Sequence, residues 1–261
     1  MRLLKRLKDG GVELTEHLED IPAYAILSHT WGPSGEEVTL CDIQQGEGRR
    51  KLGYQKIGFC ERQATANALE YFWVDTCCID KLSSAELHEA IASMFRWYQK
   101  ATKCYVYLSD VVSQGEQQSN PPQATWEPAF RNSRWFTRGW TLQELLAPPC
   151  VEFFSCDGKK LGDRASLDQL LHKITGIAVE ALQGAELSNF SIGQRLLWAE
   201  HRETTRSEDK VYSLFGILDV SMCANYGEGG DRAMDRLLRE IGRPLGSLGQ
   251  TEMVSSPKTV S

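Results

Sequence analysis

Five-residue apolar runs recur along the first 155 residues, separated by longer amphipathic stretches. Tyr24–Ser28 (YAILS), Tyr71–Asp75 (YFWVD), Cys104–Leu108 (CYVYL) and Val151–Ser155 (VEFFS) are short and aromatic or branched, which predicts buried strands. Met1–Leu4 and Val12–Leu14 flank Asp9-Gly10-Gly11, a hairpin-turn signal. Between the runs the apolar period lengthens to that of a helix. Ile57–Leu69 places Ile57, Cys60, Ala64 and Ala68 on one face, and Ser83 with Glu86 three residues later reads as a capping box. The stripe Leu87, Ile91, Met94, Phe95 and Tyr98 follows at helical spacing and predicts core. A short helix carrying Glu144 ends at Pro148-Pro149, where the backbone cannot continue it. Residues 33–53 and 113–127 are polar or broken by proline and glycine, and are predicted as loops.

The resulting order of strand, helix, strand, helix, strand, helix, strand implies an α/β fold, a parallel sheet with helices on both faces. Beyond residue 155 the pattern is mainly helical, over Ser166–Ile174, Ile192–His201, Asp209–Leu218 and Arg232–Ile241. Ser207 before Glu208-Asp209 reads as an N-terminal helix signal. From Gly242 onward the chain is rich in Gly, Ser, Pro and Thr without periodicity, and is expected to be a disordered tail or linker. The predicted organisation is one domain over residues 1–241, with an α/β core at about 20–155 and a helical extension at about 160–241.

Composition narrows the partners. A net charge of -6 opposes a generic nucleic-acid surface. The basic start, Arg2, Lys5, Arg6 and Lys8, reads as a solvated strand face. MRLLKRLKDGG has no apolar segment of the secretory type, and no apolar run approaches the length of a membrane span. None of the eight cysteines forms a CxxC pair, and no Cys/His spacing fits a zinc site, so no metal is assigned. Reduced thiols in a cytoplasmic protein are the expectation.

Arg131–Pro148, RNSRWFTRGWTLQELLAP, holds the candidate chemistry. On a helix, Trp140 and Glu144 share a face, with Arg131, Arg134 and Arg138 nearby in sequence. Glu144 either steadies a cationic transition state or pairs with Arg134 or Arg138; both readings stand on spacing alone. Ligands of doubly wound sheets bind beyond the carboxyl ends of the strands. Those ends here offer Ser28 and His29 for ribose or phosphate oxygens, Trp31 for stacking, and Asp75. A Cys-His hydrolase on Cys77 or Cys78 with His29 is a further reading. There is no GxGxxG or Walker loop.

Four segments in order, AYAILSHTWG (23–32), WVDTCCIDK (73–81) with SSAELHEAIASMFRWY (83–98), RWFTRGWTLQELLAP (134–148), and RSEDKVYSLFGILDV (206–220) running on to NYGEGG (225–230), resemble the heterokaryon-incompatibility (HET) domain of filamentous fungi. The resemblance implies an effector that triggers programmed cell death in non-self recognition. It also implies activation by self-association and, as partner, a nucleotide-binding NACHT (STAND) receptor module. The HET domain is in turn distantly similar to the Toll/interleukin-receptor (TIR) domain, which implies a TIR-like (flavodoxin-like) sheet. In NAD-cleaving TIR domains a Trp-Cys-Leu-x-Glu segment carries the catalytic glutamate. Trp140, Leu142 and Glu144 match it, and Thr141 stands where the Cys would be.

With NAD as substrate, rather than as a cofactor, one carboxylate is enough. Nicotinamide leaves as a neutral base from a pyridinium, so no general acid is required, unlike ordinary glycoside hydrolysis. The similarity therefore implies Glu144 as catalytic group, with Ser28, His29, Trp31, Asp75 and Trp140 binding substrate. A non-catalytic module that oligomerises and recruits a death machinery is the competing expectation.

Overall fold

The computed structural model describes residues 1–7, 11–33, 35–113 and 122–242. Seven strands form a single sheet: β1 (Arg2–Arg6), β2 (Val12–Glu16), β3 (Tyr24–His29), β4 (Tyr71–Trp73), β5 (Lys103–Leu108), β6 (Val151–Ser155) and β7 (Lys160–Asp163). Their spatial order is β2-β1-β4-β3-β5-β6-β7.

The α/β class holds, but the sheet is mixed rather than parallel. The core β4-β3-β5-β6 is parallel. β1 pairs antiparallel with both β2 and β4, and β7 pairs antiparallel with β6. For the β1–β2 and β6–β7 pairs the cause is connection length. A tight turn can only return a strand antiparallel, whereas a parallel neighbour needs a crossover. The β1–β2 turn closes with Leu7 N donating to Gly11 O at 2.8 Å, while Asp9 and Gly10 of the predicted turn lie outside the described residues. β7 follows β6 through a turn at Gly158, which has φ +78°, and no run of the sequence had predicted it.

Alternation along the strands explains why they are apolar throughout. The Tyr54–Ala66 helix covers one face, where Phe59 meets Tyr107 and Phe154 with ring centroids 4.9 and 5.1 Å apart. Residues 130–146 cover the other face, where Phe130 and Trp135 meet Phe153. A strand buried on both sides reads as a continuous apolar run, and all six residues of β3 are buried.

Most predicted helices are present with shifted ends. Ser84–Lys100 is capped by Ser83, which accepts from Glu86 N, but Glu86 turns away from the cap to accept from Asp80 N and pair with Arg2. Ile91, Met94 and Tyr98 of its stripe are buried; Leu87 and Phe95 are only half-buried. Two predicted loops contain helices: Leu40–Gln44, closed by a Thr39/Asp42 capping box, and Gln123–Arg131. The predicted Asp209–Leu218 helix is two single turns, Asp209–Tyr212 and Phe215–Leu218, and the first begins at Glu208 rather than Ser207. Residues 243–261, assigned from sequence to a tail or linker, lie outside the described residues. No helix among the described residues is long and apolar enough to cross a membrane.

Candidate functional site

Counted along the parallel strands, β4-β3-β5-β6 runs 2-1-3-4, so the chain switches direction between β3 and β5. Strand ends diverge at such a point and leave a crevice. Ser28, His29 and Thr30 end β3 there, and Thr30 Oγ1 lies 3.3 Å from Ser109 Oγ just past β5.

Consecutive residues of a strand face opposite ways, so β3 sends its polar residues into two different layers. Ser28 aligns with Val106 and Phe153 and faces residues 130–146. Its hydroxyl donates to the Glu144 carboxyl and accepts from Trp135 Nε1 at 2.8 Å. His29 aligns with Tyr107, on the face covered by the Tyr54–Ala66 helix. Its Nε2 lies 3.3 Å from Asp75 Oδ1, oriented so that neither ring nitrogen makes a hydrogen bond among the described residues. Burial, reinforced by the Lys56 charge, pushes the His29 pKa down to about 4, so its ring is neutral. The residues predicted as one site therefore divide between two faces.

Glu144 lies on the six-residue helix Thr141–Leu146. Its residue is 8% exposed, and burial raises its pKa to about 8. The Ser28 and Tyr98 hydroxyls and the Arg202 charge offset only part of that rise. The predicted cations do not reach it: Arg131 pairs with Glu127, Arg134 lies 3.9 Å from Asp110, and Arg138 donates to Thr205. Trp140 is likewise displaced. It occupies the N-cap position without a side-chain capping bond, and its half-buried indole lies beside Asp209 in the extension. The tryptophan linked to Glu144 through Ser28 is Trp135, five residues earlier.

Two arginines outside that segment hold the short helix. Arg202 Nη1 donates to Arg138 O and Thr141 Oγ1, each at 2.8 Å, ahead of its first turn. Arg164 Nη1 donates to Leu145 O and Leu146 O at 2.8 and 3.2 Å, meeting carbonyls that the prolines leave without helical partners. Burial lowers the Arg202 pKa to about 10, and nearby Glu144 opposes that shift. Tyr98 was read from sequence only as core and Trp135 only as part of a quoted segment, while Arg164 and Arg202 lay outside every segment singled out; proximity to Glu144 arises from folding.

Over the strand ends lies a pocket of about 500 Å3, whose lining includes Thr30, Trp31, Thr76 and Lys81 from the strand ends and Arg134, Thr137, Arg138 and Glu203 from later segments. Trp31 is half exposed; its Nε1 donates to Asp75 Oδ2 at 2.9 Å, and Lys81 Nζ sits 3.6 Å from its ring centroid. Burial acts to raise the Asp75 pKa, but Lys81, His29 and Trp31 outweigh it and hold the carboxyl ionised. Glu144, Ser28, His29 and Trp140 do not line this pocket. The Cys-His reading gains no support at Cys77, where the Cys78 neighbour and burial push the thiol well up and disfavour a thiolate. Among the described residues no group of three His, Cys, Asp or Glu is placed to hold a metal.

The segments 206–209 and 225–230 meet in a bonded cluster. Glu208 accepts from Gly227 N and Gly229 N at 2.9 and 3.1 Å, Tyr226 donates to Asp209 at 2.8 Å, and Arg206 stacks on Tyr226. That arrangement ties the last helix, Gly230–Ile241, to the Asp209–Tyr212 turn.

A mixed α/β sheet with a pocket over its switch point and a buried carboxyl nearby defines an α/β domain with a candidate site at its strand ends. The model of the heterokaryon incompatibility protein (HET) family matches residues 24–129. The chain is 52% identical over 260 residues, 99% of its length, to vegetative incompatibility protein HET-E-1 of Podospora anserina, and spans 19% of that protein. This chain therefore carries a HET domain and belongs to that family. No solved structure matches it.

Proposed function

We propose that this chain is the effector domain of a fungal vegetative-incompatibility protein and that it signals death by hydrolysing NAD with Glu144. The name of its relative supports the incompatibility role. One observation carries the chemistry: Glu144 is a buried carboxyl with hydroxyl neighbours and no ion-pair partner among the described residues. A carboxyl left unpaired in a folded interior is costly unless it stays protonated, and such groups concentrate at functional sites. The acid is neutral at pH 7. A nicotinamide cation placed against it would lower its pKa and draw it into the ionised form. The C1′–N1 bond then breaks with both electrons leaving on nicotinamide. Glu144 stabilises the ribosyl cation, water adds at C1′, and one proton is released.

The competing reading is a module that oligomerises without chemistry. The observation favouring it is that Glu144 is absent from the pocket lining. Nicotinamide release from NAD by the domain, clustered through a fused oligomerising tag, separates the two. Release that falls by roughly two to four powers of ten in Glu144→Gln supports the enzyme. No release from folded, clustered wild-type protein rejects it.

A further inference from the structure

We propose that the pocket over the strand ends binds a ligand carrying a pyrophosphate and a planar ring, with Arg134 and Arg138 on the phosphates and Trp31 against the ring. The inference deepens the NAD reading by naming the groups that would hold a dinucleotide, but binding can be measured without cleavage.

Charge is the first argument. Lys51, Lys81, Arg134 and Arg138 line the pocket against only two carboxylates, Glu37 and Glu203. Lys51 is occupied by Asp42 at 2.6 Å, and Glu37 by Lys56. Arg138 has no ion pair among the described residues and makes one side-chain bond, 3.3 Å to Thr205 Oγ1. Arg134 is two-thirds exposed and reaches Asp110 only at 3.9 Å. Two guanidiniums of the lining thus have most of their donors unspent. Arginine's planar fork suits phosphate oxygens.

Spacing is the second argument. Arg134 opens and Arg138 ends the 3-10 turn Arg134–Thr137, so one rigid turn carries both. A pair of cations so fixed suits two linked phosphates better than a single point charge. The ring site is the third. Asp75 anchors the Trp31 indole at its nitrogen, and Lys81 packs over the ring. The indole is held in one orientation while remaining half exposed. An aromatic platform of this kind stacks any base, worth roughly 1–3 kcal/mol. The volume of about 500 Å3 falls in the range of roughly 300–1,000 Å3 of small-molecule sites. A net charge of -6 argues against a polynucleotide as the anion.

The test is calorimetric titration of the whole chain with ADP-ribose, inorganic pyrophosphate and adenosine, repeated on Arg134→Gln/Arg138→Gln, on Trp31→Ala, and on Arg239→Gln as a surface control outside the pocket lining. The expected result is saturable binding of ADP-ribose, weakened at least tenfold by the double arginine change and by Trp31→Ala, and unchanged by Arg239→Gln. Pyrophosphate binding should fall with the arginines and be indifferent to Trp31. Binding of pyrophosphate with no gain from the attached adenosine would overturn the ring half of the proposal. ADP-ribose binding that ignores the arginines, or no saturable binding at all, would overturn the whole. Binding that depends on the arginines without nicotinamide release would sink the catalytic reading and leave this one standing. Release insensitive to the arginines would do the reverse.

Discussion

Replacing Glu144 by Gln should change how stability depends on pH in a way that isolates one buried proton. In the folded chain Glu144 titrates at about 8, against 4.5 for a free glutamate. Between those values the native state holds a proton that the unfolded chain has released. Stability therefore falls as pH rises through this window, by about 1.4 kcal/mol per pH unit. His29 acts in the opposite sense. Its folded pKa of about 4 lies below the free value of 6.5, so the unfolded chain holds the extra proton and stability rises with pH between those values. From pH 4.5 to 6.5 the two slopes oppose and nearly cancel. From 6.5 to 8 Glu144 acts without this opposition and contributes a loss of about 2 kcal/mol. Urea unfolding of wild type and Glu144→Gln at pH 5, 6.5 and 8 reads the difference directly, because every other group is common to both. The stability of wild type relative to the variant should drop steadily across the series. The variant alone should gain stability between pH 5 and 6.5 as His29 is unmasked. Parallel curves from 6.5 to 8 would refute the buried, protonated carboxyl, and with it the chemical argument for this residue.

Other expectations follow from the same geometry. Ser28→Ala leaves the Trp135 indole N–H and the Glu144 carboxyl without their shared partner in a fully buried place, which should cost about 2–5 kcal/mol in urea unfolding. A change below about 0.5 kcal/mol would mean that the cluster reorganises freely. Gly216→Ala should destabilise by about 1–3 kcal/mol, since a methyl there would stand 2.1 Å from Phe95 Cγ, where the extension meets the Ser84–Lys100 helix. An unchanged melting midpoint would show that this contact yields. If Glu144 cleaves NAD as a carboxylate, nicotinamide release at low NAD concentration should rise with pH toward 8; a rate flat from pH 6 to 9 would count against it.

The periods of the chain were enough to locate the four parallel strands and the longest helices between them, though not Leu40–Gln44 or Gln123–Arg131. A strand buried on both faces leaves a run too short and too apolar to mistake, as in YAILS and CYVYL. The sequence also singled out Glu144, because one carboxylate in an apolar segment before two prolines stands out. Its neighbours were another matter. Periodicity places Trp140 and Glu144 on one helical face, yet the helix is only six residues long, and Trp140 at its N-cap lies beside Asp209. Which tryptophan serves Ser28 depends on the turn at 134–137, which no local pattern announces. The separation of Ser28 from His29 was implicit in strand alternation, but its consequence required knowing what covers each face. Arg164 and Arg202 join the Glu144 helix from 20 and 58 residues away, and contacts across such separations leave no trace in spacing. Local periodicity fixes elements because it reflects burial of each segment by itself. The pocket, the proton on Glu144 and the unspent arginines depend on which segments share a boundary, and only the tertiary structure decides that.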